Sequence, residues 1–382
     1  DELLNNVAHR LQRCLRTKDK IARFGGDEFA ILLENIHQSQ EVTRVAERIQ
    51  ERLRLPFKLD YEQVFTGASI GITFSSIGYE RPEDLLRDAD VAMYQAKAQG
   101  KGRYAVFNPG MQIAALARLQ LENDLRQAIE QQEFCLHYQP IISLSTGCLT
   151  SFEALIRWNH SSRGWVSPAE FIPIAEETGL INDIGWWVFQ EACRQLQVWK
   201  QQFAQASALM INVNLSTHQL KQVGLVEKIE KILHASEIEG REVRLEITES
   251  CFLETVASET AMVSQLKALG ISLCIDDFGT GYSSLSRLHE FPIDTLKIDR
   301  SFIRRLELNQ TAIVQTIVTL AHSLEMNVVA EGIETKEQLK KLQLLGCELG
   351  QGYLFSQPVN SQIASQLISD KGKMFTVNYE DF

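Results

Sequence analysis

The sequence contains no apolar run of 18 residues, so it offers no candidate transmembrane helix. No signal-peptide pattern follows Asp1. Because the first residue is not Met, we expect a piece of a longer polypeptide, with anchors or sensor domains lying upstream. No C-x-x-C pair occurs among the 7 cysteines, Cys14, Cys135, Cys148, Cys193, Cys251, Cys274 and Cys347. That argues against a zinc ribbon or a disulfide scaffold and favours a reducing cytoplasm. The sequons at Asn159, Asn214 and Asn309 are then coincidental. Positive charge is also short: 38 Lys and Arg against 49 Asp and Glu leave a net charge of −11. Duplex nucleic acid is therefore a poor partner. A small anionic ligand remains acceptable if metal ions or locally gathered cations neutralise it. There is no G-x-x-x-x-G-K-[ST] and no G-x-G-x-x-G after a strand, which sets aside the common nucleotide loops.

The 382 residues suggest two domains, or one large and one partial. "DELLNNVAHRLQRCLR" is an amphipathic helix, with Leu3, Leu4, Val7, Leu11 and Leu15 on one face. "KIARF" and "EFAILLE" flank Gly25-Gly26 and read as a β-hairpin. A helix "EVTRVAERIQERLRL", a strand "VFTGASIGITF", a helix "PEDLLRDADVAMYQAKAQG" and a strand "YAVF" follow. Residues 1–109 thus read as a partial α+β domain, 110–118 as a connector opening a charged helix, and 369–382 as a polar tail. Between them, over 119–368, short β-rich segments recur: "FCLHYQPII", "SFEALIRW", "LMINVNLS", "VRLEITES", "SLCIDDFG", "TLKIDRSF", "NVVAEGIE" and "GYLFS". Their mean spacing is about 30 residues, the length of one βα unit. The expected architecture is an α/β fold, a TIM-type (β/α)8 barrel.

Catalytic groups of such barrels gather at the carboxyl ends of the strands. Here those ends carry Glu153, Asn214, Glu246 with Glu249, Asp276 with Asp277, Lys297 with Asp299, and Glu331 with Glu334. A single strand-end glutamate is most often solvated or salt-bridged, and an Asp-Asp pair is often a turn or cap. Strand after strand ending this way calls for cations or bound protons to relieve repulsion. Hard oxygen ligands, one amide and no thiolate suit Mg²⁺ or Mn²⁺. The carboxylates suffice for two ions sharing a bridging Asp, an arrangement that cleaves phosphodiesters.

The segments "SFEALIRW", "YQPI", "NVNLS", "LEITES", "IDDFGTGYSSL", "LKIDRSF", "VVAEGIET" and "QGYLFSQP" resemble, in order and spacing, the EAL domains, cyclic di-GMP phosphodiesterases. The resemblance covers about Leu119 to Val359. It implies one ion on Glu153, Asn214, Glu246 and Asp276, and a second on Asp276, Asp277 and Glu331. It implies that Lys297 positions the attacking water and that Gln351 orients water or ligand nearby. Glu249 would brace the loop "DDFGTGYSS", which in that family couples dimerisation to metal-site order. Arg157 and Gln139 would meet the phosphate and guanine side of the substrate, joined by Asp299. No ligand position departs from the family pattern, so the resemblance implies an active, homodimeric hydrolase.

The first part resembles the GGDEF domains of diguanylate cyclases through Gly25, Gly26, Asp27, Glu28 and Phe29, followed by "SIGI" and "DADVAMYQAKAQGKGR". The resemblance implies Glu28 as a metal or catalytic group, and Lys97 and Lys101 as triphosphate contacts for GTP. Arg16 and Asp19 form R-x-x-D, as in the family's product-inhibition site. The earlier strand that supplies a metal-binding Asp in such domains is absent from this sequence, so this part is expected to be regulatory and not to make cyclic di-GMP alone. Cyclase activity in the intact protein stays open. Two rival readings stand beside the hydrolase: a receptor that returns cyclic di-GMP or GTP intact, and a general nuclease. The acidic charge and missing basic aromatic track weigh against the nuclease.

Overall fold

The computed structural model describes residues 2–59, 62–249, 251, 257–281, 288, 291–308 and 310–369. The polar tail expected over 369–382 therefore lies outside the described residues except for Ser369, as do residues 282–284 of the loop after Asp277. Contacts divide the chain into Asp1–Leu121 and Glu122–Phe382.

The first unit opens with α1 (Glu2–Gln12) and the hairpin β1 (Lys20–Gly25) and β2 (Glu28–Leu32). α2 (Ser39–Arg54), β3 (Phe57–Leu59), β4 (Glu62–Val64), β5 (Ile70–Ile72), α3 (Pro82–Ala98) and β6 (Tyr104–Val106) follow. "VFTGASIGITF", expected as one strand, is split between the ends of β4 and β5. β4 pairs antiparallel with β3 and β5 parallel with β6, so the two halves serve different partners. The hairpin turns at Gly26, whose φ of +50° a side chain would resist. Arg23 closes that turn by donating from its guanidinium to the Gly26 carbonyl at 2.7 and 2.9 Å. Below it Leu11, Cys14, Ile49, Leu53 and Phe57 form a small core, against which Phe29 packs. α4 (Pro109–Ala128) runs as one helix through the expected connector.

In the second unit the strands are β7 (Phe134–Ser143), β8 (Leu149–His160), β9 (Gly164–Val166), β10 (Met210–Asn214), β11 (Val243–Thr248), β12 (Ser272–Phe278), β13 (Thr295–Ile298), β14 (Asn327–Ala330) and β15 (Leu349–Gly350). Pairing runs β8-β10-β11-β12-β13-β14-β15-β7 and back to β8, a closed eight-strand barrel with β9 added outside the ring. Helices such as Leu225–Ala235, Ala312–Ser323 and Lys336–Leu344 connect the strands, as in a TIM-type barrel. Two details differ from the sequence expectation. β7 is antiparallel to both neighbours. Only residues 144–148 separate it from β8, too few for the crossover that a parallel pair needs. The last strand is Leu349–Gly350, while Tyr353–Phe355 of "GYLFS" forms a turn. Gly352 explains that shift: a Cβ there would stand 2.2 Å from the Ile333 carbonyl oxygen, so the chain must pass too close to continue as a strand with side chains.

Candidate active site

The alternation of each strand decides what enters the barrel. Ser151 and Glu153 on β8, Asn212 and Asn214 on β10, Arg244 and Glu246 on β11, and Thr295 and Lys297 on β13 share the inward parity. The carboxyl ends of the parallel strands thus place Glu153, Asn214, Glu246, Asp276 and Lys297 at one mouth.

Lys297 lies at the centre, 1% exposed. Its Nζ is 2.6 Å from Glu331, 2.8 Å from Glu246, and 3.3 Å from both Glu153 and Asp276. A lysine takes this position only when the surrounding negative charge outweighs its desolvation. Burial alone would lower its pKa; Asp276, Glu153, Glu246 and Glu331 together raise it well above the usual lysine value. One ammonium does not neutralise the ring. Burial, then Glu153, push the Glu246 carboxyl well above the carboxylate range despite Lys297. Burial pushes Glu331 up to about 8 against the pull of Lys297, with Asp276 and Glu153 adding to the rise. Glu153 goes the other way: the cost of burial is outweighed by Lys297 and by hydrogen bonds from Gln351 and Asn214. Those bonds are 2.7 Å from Gln351 Nε2 and 2.9 Å from Asn214 Nδ2.

Asp277 follows an inward residue and would face outward in a regular strand. The register between β12 and β13 slips after Ile275, and Asp277 takes a φ of +54°. This bulge swings its carboxylate back to the mouth. Oxygens of Asp276, Asp277 and Glu331 then lie within 4.8 Å of one another. Burial, followed by Asp276 and Asp299, raises the Asp277 carboxyl. Glu249 accepts from the amides of Gly279 at 2.8 Å and Gly281 at 3.2 Å, tying down the turn beyond the bulge. Gln351 also donates to Gln139 Oε1 at 2.9 Å, and Gln139 donates to the Ser356 carbonyl at 3.1 Å. Gln351 Oε1, though buried, has no partner among the described residues. Asp299 caps the helix Arg300–Arg305 by accepting from the Ser301 amide. Arg157, half-buried on β8, donates to the Ile156 carbonyl at 2.8 Å and forms no ion pair among the described residues.

Two supports lay beyond the sequence reading. Asn212 donates to Glu246 Oε1 at 2.7 Å from full burial, fixing that carboxylate from the side opposite Lys297. Its signal was the alternation in "INVN", two residues before Asn214. The bulge at Asp277 had no sequence signal beyond the doubled Asp.

The hairpin unit gathers no comparable set. Gly25, Gly26, Asp27 and Glu28 are exposed and Phe29 half-buried. Among the described residues the one potential metal-holding cluster is that at the barrel mouth. Asp19 accepts from the Arg16 amide at 2.8 Å, and the Arg16 guanidinium reaches Glu41 at 3.4 Å. Lys97 lies in the last turn of α3, and Lys101 follows with a φ of +54°.

Barrel, mouth and acidic ring together define a class, and the chain belongs to the EAL family: the model of the EAL domain matches residues 122–358. That of the diguanylate cyclase GGDEF domain matches residues 1–103, giving a GGDEF–EAL arrangement. Among relatives, the chain is 40% identical to the bifunctional diguanylate cyclase/cyclic di-GMP phosphodiesterase MucR of Pseudomonas aeruginosa, over 95% of this chain and 53% of the relative. It is 37% identical to the cyclic di-GMP phosphodiesterase PdeR of Escherichia coli, over 94% of this chain and 54% of that protein. The chain thus spans about half the length of the curated relatives it matches. The solved structure described as PaMucR phosphodiesterase, c-di-GMP complex, is 42% identical with a TM-score of 0.62, covering 64% of this chain and 99% of that one. No helix among the described residues is long and apolar enough to cross a membrane.

Proposed function

We propose that the barrel hydrolyses cyclic di-GMP to linear pGpG. The observation that carries this reading is the Lys297 ammonium wedged among four carboxylates at the strand ends. A site that draws in a buried cation this strongly is built to hold positive charge. Its donor set, hard oxygens with one amide, fits Mg²⁺ or Mn²⁺, and the neighbouring Cys274 thiol is kept protonated by burial, which pushes it well above its usual range. Glu153, Asn214, Glu246 and Asp276 would hold one ion, and Asp276, Asp277 and Glu331 a second. When bound, two such ions would neutralise the phosphodiester, acidify water and stabilise the departing 3′-oxygen.

In the reaction, water oxygen bonds to phosphorus and the bond from phosphorus to the 3′-oxygen breaks. One ring linkage opens, leaving a 5′-phosphate and a 3′-hydroxyl that takes up the proton balance. Lys297, buried among Glu153, Glu246, Asp276 and Glu331, is the cation placed to orient the attacking water. Gln351 holds Glu153 and offers its Oε1, which has no partner among the described residues, to water or ligand. Gln139 and Asp299 line the same mouth. Arg157, which has no ion pair among the described residues, is assigned to a phosphate. The exposed hairpin is assigned a regulatory role, with GTP as the ligand class its motif fits. The barrel is expected to form a homodimer through the segment after Asp277, and the protein to act in the cytoplasm.

The test is incubation of the purified chain with cyclic di-GMP and Mg²⁺ or Mn²⁺, with an EDTA control, and chromatography of the products. Metal-dependent pGpG is expected. Intact cyclic di-GMP under saturating metal would overturn the hydrolase reading and leave a receptor. The same assay with GTP is expected to yield no cyclic di-GMP.

A further inference from the structure

β8 is far longer than the barrel needs. β10 pairs with it only as far as Ala154. Beyond that point β7, the end of β8 and β9 continue as an antiparallel ribbon beside the mouth. The face of this ribbon that lies opposite Glu153 in parity is packed: Phe134, Trp158 and Phe171 stack together, and Trp158 is fully buried. The other face continues the Glu153 side. Leu155, Arg157 and Asn159 follow Glu153 on β8, and His137 and Cys135 face them from β7. Trp165 stands opposite Asn159.

Trp165 is 61% exposed, and its ring meets the His137 ring edge-on at 5.7 Å between centroids. His137 pairs with Leu155, two residues, or about 7 Å, beyond Glu153. The indole therefore leans back along the ribbon toward the mouth, past the Arg157 row. At the far end of the ribbon, where the chain enters β7, a cleft of about 350 Å³ has Gln132, Glu133, Cys135, Asn159 and Trp165 in its wall. Tyr353, the other exposed aromatic residue among the described residues of this unit, is in the turn after Gln351 and is close enough to Arg157 to act on its charge. A large indole left in water on the same ribbon face as a guanidinium that has no ion pair among the described residues matches a flat, anionic ligand: the ring stacks on a base while the cation meets phosphate.

We infer that Trp165 is the stacking platform for a guanine of cyclic di-GMP, the base carried away from the metal-bound phosphate, with Asn159 facing the edge of that base. The inference rests on the proposed substrate and assigns a residue outside the acidic ring to its recognition. Trp165 takes no part in bond making; it sets how tightly the dinucleotide is held and how strongly it is preferred over phosphodiesters without purines.

The experiment compares wild type, Trp165→Ala and Trp165→Phe. For Trp165→Ala, KM for cyclic di-GMP is expected to rise about five- to a hundredfold with kcat changed far less. Its preference for cyclic di-GMP over bis(p-nitrophenyl) phosphate should fall by a similar factor. Trp165→Phe, which keeps a ring, should recover most of the loss. With Ca²⁺ replacing Mg²⁺ to hold the ligand uncleaved, cyclic di-GMP should quench wild-type tryptophan fluorescence, and Trp165→Phe should lose most of that quench. Wild-type KM and quench in both variants would overturn this inference alone. Absence of both binding and cleavage by the wild type would overturn the substrate reading, and this inference with it.

Discussion

Asp27 and Glu28 stand exposed at the turn of a two-stranded hairpin, whereas Glu153, Glu246 and Lys297 are all but sealed inside the barrel. Both regions carry an intact family signature. In the hairpin, the acidic pair occupies one turn, and no other ligand-bearing element is brought to it among the described residues. In the barrel, strands far apart in sequence deliver acids to one point, and the chain must bury a lysine to hold them there. The difference lies in convergence: a short motif supplies ligand types, but closure of the barrel supplies the field that makes them reactive.

The sharpest way to break this contrast is a pair of substitutions. Asp276→Ala removes a ligand proposed to serve both ions, and pGpG formation should fall about a thousandfold or more. Glu28→Ala, at the hairpin, should leave barrel turnover within about twofold. Comparable losses in the two variants would mean that the hairpin belongs to the hydrolytic machinery. Near-normal turnover by Asp276→Ala would refute the shared-ligand assignment.

Lys297→Met asks whether the buried charge is a structural debt. Removing one partner from a buried ion cluster typically costs about 3–5 kcal/mol, because the remaining charges are left unpaired. Without metal, the variant should therefore melt several degrees below the wild type, and added Mg²⁺ should recover much of the difference. Unchanged melting in EDTA would mean that the ring already carries enough protons to dispense with the lysine. Glu249→Ala tests the turn beyond the bulge. Losing the acceptor for the Gly279 and Gly281 amides should lower turnover about ten- to a hundredfold, as for other residues that orient metal ligands. Glu249→Gln, which keeps one acceptor oxygen, should fall between.

The barrel was legible because its strands recur at an even spacing and end in the same residue types. The hairpin was legible from its two glycines between alternating apolar runs. What escaped the sequence depends on contacts between distant segments. The antiparallel β7 follows from a short connection whose meaning is plain only once both ends are placed in one ring. The last strand moved to Leu349–Gly350 because Gly352 must approach Ile333, nearly twenty residues earlier. Asn212 gained a role only once Glu246 was found beside it, on a strand 34 residues further on. The role of Asp277 rests on a bulge, a change of pairing that its own residues do not announce.

The smallest expected effect sharpens the comparison most, because it separates a ring held by protons from one held by Lys297 alone. Burial pushes the Glu331 carboxyl up to about 8, overriding Lys297, with Asp276 and Glu153 adding to the rise. In the ion-free protein that carboxyl is therefore mostly protonated at pH 7, and an ion that takes it as ligand must expel the proton. Mg²⁺ affinity should rise with pH, by about fivefold between pH 7 and 8 for a single proton, and level off above. Calorimetric titrations in buffers of different ionisation enthalpy should show proton release. The folded pKa lies above the unfolded one, so this proton's contribution to stability is full below the ordinary glutamate range and is lost as pH rises through about 8. In EDTA the melting temperature should fall across that window, while saturating Mg²⁺, by replacing the proton with a cation, should widen its advantage. A pH-independent affinity with no proton released would show Glu331 already ionised, and the ammonium of Lys297 would then carry the ring's charge compensation by itself.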